Sequence, residues 1–170
     1  MQVEVITASR HGSTREIGEA IAGRLRERGH DASARDAEAV EALPVGAAVV
    51  LGSPIYMGKW MKPARELAER IAAEPERRAL WMFSVGPVGD PPKPDDAKPE
   101  EEVERIAAER AVEHRLLTGR IDRSGLSRIE RIALRAVKAP DGDFRDFAAI
   151  EAWADRIAAA LDERDAGRAG

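Results

Sequence analysis

The 170-residue sequence predicts an α/β fold: a three-layer sandwich whose five-stranded parallel sheet runs in the order 2-1-3-4-5. Two observations predict it. Apolar runs of strand length alternate with amphipathic segments of helical period along the whole chain. Residues 47–52 and 79–84 are apolar almost without interruption, as in strands buried on both faces by helices. Strands that alternate with helices pair in parallel through right-handed crossovers.

Each element has its own justification. Residues 2–8 open the chain as a strand built on Val3, Val5 and Ile6. Residues 14–28 form a helix with Ile17, Ala20, Ile21 and Leu25 on one face. Gly29 ends it, and Arg24, Arg26 and Arg28 lie near its negative end. Residues 31–35 make a weak second strand and 47–52 the third. Residues 60–73 read as a helix with Trp60, Ala64, Leu67 and Ile71 along one stripe. Residues 79–84 are the fourth strand. An irregular loop follows over 85–99, where five of the ten prolines fall. Residues 100–110 are helical and 114–118 are the fifth strand. An extra amphipathic helix is expected over 124–137, carrying Leu126, Ile129, Ala133 and Val137. The last helix uses Phe147, Ile150, Ala154, Ile157 and Leu161. Residues 1–162 thus form one domain, and 163–170 are expected to fray.

Composition narrows the function classes. A net charge of −4 gives no electrostatic reason to expect a nucleic-acid partner. With no cysteine there is no disulfide, thiolate metal site or cysteine nucleophile, and no metal is expected. The chain begins directly in a strand, and no run of apolar residues is long enough to span a membrane. A cytoplasmic protein is expected.

In a sheet of this order, ligands sit beyond the carboxyl ends of the strands at the switch point between strands one and three. That rule selects three loops. The first, Ser9-Arg10-His11-Gly12-Ser13-Thr14, joins a strand to a helix through hydroxyls and one glycine. Unpaired N–H groups at a helix start carry partial positive charge and hold phosphate without a lysine. The same residues admit another reading: Ser13-Thr14-Arg15-Glu16 fits a capping box, with Ser13 capping the helix and Glu16 bonding back. The second loop is Ser53-Pro54-Ile55-Tyr56-Met57-Gly58-Lys59-Trp60, and the third is Ser84-Val85-Gly86-Pro87.

These three loops, in this order at strand ends, resemble the flavin-binding loops of the flavodoxin-domain family, and within it the menaquinone-dependent protoporphyrinogen oxidases. Residues 113–122 and 137–146 resemble the C-terminal half of the same family. The resemblance implies FMN as cofactor and an oxidoreductase function. It further implies protoporphyrinogen oxidation with electrons passed to a quinone, in heme biosynthesis. The phosphate would be held by Ser9, Arg10, His11, Gly12, Ser13 and Thr14. Ser53, Pro54, Ile55, Tyr56, Met57, Gly58 and Trp60 would border the ring, and Ser84, Val85, Gly86 and Pro87 its polar edge. Tyr56 or Trp60 would face the ring, although Trp60 equally suits a core position. No catalytic acid or base is identifiable.

Other readings stay open: a flavodoxin-type electron carrier, an NAD(P)H-dependent quinone reductase, and a flavin-free interaction module. A phosphotransfer receiver would need acidic residues at the ends of strands one and three, where Thr7-Ala8 and Gly52-Ser53 stand. Residues 115–138 hold seven basic residues against two acidic ones. They read either as a solvated face or as a surface for a protein redox partner, a porphyrinogen substrate or an anionic membrane. In that last case the stretch Arg120 to Lys138 would rest on the inner face of the membrane.

Overall fold

A computed structural model describes residues 1–86, 98–121 and 142–168. The extra helix expected over 124–137, Pro87 and most of the basic stretch lie outside these residues. The long strands are β1 (Gln2–Thr7), β2 (Asp31–Asp36), β3 (Ala48–Tyr56), β5 (Leu80–Val85) and β6 (Glu113–Leu117), and a short β4 (Lys59–Trp60) follows β3. They form one sheet in the order β2-β1-β3-β5-β6, with β4 paired to β3 off that path. Every pairing among the five long strands is parallel. Counting the long strands alone, the order is the expected 2-1-3-4-5.

Helices α1 (Ser13–Glu27), α2 (Lys62–Ala72), α3 (Glu101–Arg110) and α4 (Phe147–Arg168) supply the outer layers. Side chains alternate across each strand, so the central strands β1, β3 and β5 each feed two cores. Val3, Val5, Val50, Trp81 and Phe83 meet α1 and α4 through Ile17, Ile21, Leu25, Trp153, Ile157 and Leu161. Ile6, Val49, Leu51 and Met82 meet α2 and α3 through Leu67, Ile71, Val103 and Ile106. Gly52 is obligatory in this packing: a Cβ there would lie 2.0 Å from the Phe83 ring. That ring in turn stands edge-on to Trp153, with centroids 5.9 Å apart.

Three boundaries depart from the sequence reading. β3 runs on through Ser53, Pro54, Ile55 and Tyr56, so the second loop is largely a hairpin. α2 starts at Lys62, with proline in its first turn, and Trp60 belongs to β4. The fixed φ of Pro63 and its missing N–H are tolerated only in a first turn, which sets the start of this helix. α4 continues to Arg168, past Asp162 where fraying is expected. Asp165 in that extension pairs with the N-terminal ammonium of Met1 at 3.3 Å. A two-stranded ribbon, β7 (Arg120–Ile121) with β8 (Gly142–Asp143), lies between β6 and α4.

Candidate functional site

The register brings the three loops to one edge of the sheet. Thr7 pairs with Gly52, Ser53 with Ser84, and Pro54 with Val85, so β1, β3 and β5 all end there. The first loop leaves β1 with the Ala8 N–H donating to the Gly52 carbonyl at 3.0 Å. It enters α1 through Gly12, which is the N-cap, in the left-handed region at φ 82. No side chain caps this helix. The capping-box reading is therefore overturned. Ser13 is the first helical residue, and its Oγ accepts from the Arg120 N–H at 3.3 Å. The Glu16 carboxylate accepts from Arg145 and Arg120. With glycine at the N-cap, the N–H groups of Ser13, Thr14 and Arg15 have neither an intrahelical acceptor nor a side-chain cap, and the first intrahelical bond runs from the Glu16 N–H to the Gly12 carbonyl at 2.9 Å. Ser9 and Ser13 are half-buried, Arg10 and His11 exposed, and Thr14 buried.

The second loop is a tight hairpin. Ile55 pairs with Trp60 and Tyr56 with Lys59, leaving Met57 and Gly58 at the tip with φ 52 and 74. Positive φ at both central residues matches the turn whose twist suits a two-residue hairpin, and glycine accepts it freely while methionine does not. The Met57 side chain is fully exposed and Tyr56 is 44% exposed. Three bonds fasten the base of this hairpin. Ser53 Oγ accepts from the Met61 N–H at 2.9 Å, Glu100 accepts from the Trp60 N–H at 2.7 Å, and the Trp60 indole N–H donates to Ser84 Oγ at 2.8 Å.

Trp60 is thus a buried anchor, 2% exposed, and Tyr56 is the exposed aromatic of this loop. Ser84 is fully buried and links Trp60 to His114, whose Nε2 lies 2.9 Å away. Burial holds the His114 imidazole below its ordinary pKa, against an opposing pull from Glu104. In the neutral state Ser84 Oγ can accept from the indole and donate to Nε2. In the third loop Val85 is buried, and the Gly86 N–H donates to the Leu117 carbonyl at 3.2 Å. Pro87 lies outside the described residues.

Sequence reasoning missed His114, Glu100 and the partnership of Glu16 with Arg120 and Arg145. Glu16 alone carried a signal, as a first-turn carboxylate. A separate depression of about 600 Å³ between α2 and α3 shares no residue with the three loops. Its Arg105 is already paired with Glu102 and Glu109.

The loop cluster fits a flavin mononucleotide on one structural ground. A bare helix start offers N–H donors to a phosphate, and a hairpin tip with an exposed tyrosine and methionine stands on the same sheet edge. A model of the flavodoxin domain family matches residues 4–147. No curated protein matches the chain. Among solved structures, a flavodoxin from the domain Archaea is similar, with TM-score 0.56 at 15% identity over 81% of this chain and 97% of its own. The flavodoxin of Streptococcus pneumonia TIGR4 gives 0.58 at 16%, over 94% and 99%. Rubredoxin oxygen:oxidoreductase from the anaerobe Desulfovibrio gigas gives 0.59 at 13%, over 95% of this chain and 36% of its own. At these identities the structures speak for the fold alone. The family match spans most of the sequence and includes all three loops whole, so the chain belongs to the flavodoxin domain family.

Proposed function

We propose that this protein is an FMN-binding redox domain that carries electrons between a donor and an acceptor, with a quinone or a protein as partner. The observation that carries this reading is the uncapped start of α1 at Gly12, on the same sheet edge as the Tyr56–Met57 hairpin. When bound, FMN supplies reversible electron and hydride chemistry at its ring. The protein supplies the rest. First-turn N–H groups of α1 and the Ser9 and Ser13 hydroxyls hold the phosphate. Tyr56 and Met57 border the ring, and aromatic contact adds about 0.5–1.5 kcal/mol beyond burial. The Trp60–Ser84–His114 chain and Glu100 keep the hairpin in place.

The purified chain should bind FMN more tightly than riboflavin in a fluorescence titration, because riboflavin lacks the phosphate. Equal affinity for the two would remove the phosphate role of residues 9–14, and no flavin binding would reject the function. Reduction of the loaded protein by NAD(P)H alone would shift the reading from electron carrier to quinone reductase. Porphyrinogen oxidation draws its support from the resemblance of residues 113–122 and 137–146. Absence of protoporphyrinogen turnover with any quinone rejects it.

A further inference from the structure

We propose that Arg145 and Arg120 are positioning residues for the phosphate end of the site, acting by neutralising the Glu16 carboxylate that stands beside the start of α1. The proposal rests on the FMN reading above. Glu16 sits in the first turn of α1, and its Oε1 lies 3.7 Å from the place a Cβ on Gly12 would take. A carboxylate there is drawn to the positive end of the helix. It competes with a phosphate for the same donors, and it repels one that approaches.

Both Glu16 oxygens accept from arginines. Arg145 Nη1 donates to Oε2 at 2.6 Å. Arg120 donates to Oε1 at 3.1 Å through Nη2 and to Oε2 at 3.3 Å through Nη1. Arg145 is held in turn. Its Nε and Nη2 donate to the two Asp143 oxygens at 2.8 and 2.6 Å, and its guanidinium lies 4.9 Å from the Phe147 ring centre. Its side chain is only 4% exposed, so it has little freedom to release the carboxylate. Asp143, Arg145, Glu16 and Arg120 form a neutral group of four. Take away either cation, and one negative charge is left beside the first turn of α1.

The ribbon also orients a donor. Ser13 Oγ accepts from the Arg120 N–H, so the Ser13 hydroxyl hydrogen is left for an acceptor of its own. Residues more than 100 positions away in the chain thereby prepare both the charge and the hydrogen-bond polarity of the first loop.

The test measures dissociation constants of the full chain for FMN and for riboflavin in the wild type, Arg145→Gln, Glu16→Gln and the double variant. Arg145→Gln should weaken FMN about tenfold or more, the scale of one uncompensated charge at a partly exposed site. Riboflavin affinity should stay within about twofold, since no phosphate is involved. Adding Glu16→Gln to Arg145→Gln should restore FMN affinity. Arg120→Gln, at a more exposed position, should show a smaller loss with the same rescue, and it serves if Arg145→Gln does not fold. Unchanged FMN affinity in the arginine variants overturns the proposal. So does an equal loss of FMN and riboflavin, or a loss that Glu16→Gln fails to rescue. A wild type that binds riboflavin and FMN equally, or neither, overturns the underlying site reading, and this proposal falls with it.

Discussion

Ser84 shows how one buried hydroxyl can tie a loop to two neighbours. It is fully buried, accepts from Trp60 and lies 2.9 Å from His114 Nε2. Ser84→Ala leaves an indole N–H buried without an acceptor, which costs about 1–3 kcal/mol. His114 adds a pH dependence. Its imidazole is held below the ordinary value, so the unfolded chain takes up a proton first as pH falls. Stability is complete above the ordinary histidine range and is lost as pH falls through it towards the folded pKa. The urea midpoint of the wild type should therefore drop between about pH 7.5 and about pH 5.5, and His114→Gln should flatten that drop. An equal drop in both proteins would remove His114 from this role. Neither residue's function was legible in the sequence. Ser84 stood in the right loop, but whether a side chain at a strand end faces a ligand or a neighbouring strand depends on the sheet's pleat and register. Trp60 illustrates the same limit. Its helical spacing with Ala64 and Leu67 was real, yet Pro63 moved the helix start past it, and the indole became an anchor in a strand.

Among the elements, the strands buried on both faces were the most readable, because an apolar run of that length has few alternatives. β3 and β5 appear where their apolar residues are, and β3 overran its predicted end because Ile55 and Tyr56 found strand partners in Trp60 and Lys59. The hairpin has no asparagine-glycine signature, so Met57-Gly58 gave little warning of it. The pairing of β3 with β5 depends on one missing side chain. Gly52→Ala would put a methyl group 2.0 Å from Phe83. The cost should reach or pass the upper end of the usual 1–3 kcal/mol for overpacking, roughly, read as a lower thermal midpoint. Phe83→Leu should recover part of it in the double variant, and a simple sum of two losses would mean the clash is relieved elsewhere. Glu16 shows the other kind of limit. Its place in a capping box was a sound local reading, but arginines 104 and 129 positions away outbid the helix's own backbone.

Across the whole molecule, the order of elements alone was enough for the architecture, and the loop positions followed from it. No helix among the described residues is long and apolar enough to cross a membrane. The two helical layers differ in how far apart their parts lie in the chain. α2 and α3 are near neighbours in sequence, whereas α1 packs against α4, joined by Arg24 and Arg28 to Asp155 at 2.6 and 2.8 Å. That pairing imposes a schedule on synthesis. Val3, Val5 and Val50 emerge early, but Trp153, Ile157 and Leu161, which share with α1 the covering of their side of the sheet, lie 103 or more positions further along the chain. At roughly 5–20 residues per second, the nascent chain carries an apolar face covered by α1 alone for about 7–30 seconds. Ribosome-held chains that stop before Phe147 should be cut readily by protease, while chains long enough to expose all of α4 should resist. Equal resistance in both would mean that the first half of the sheet closes without its last helix.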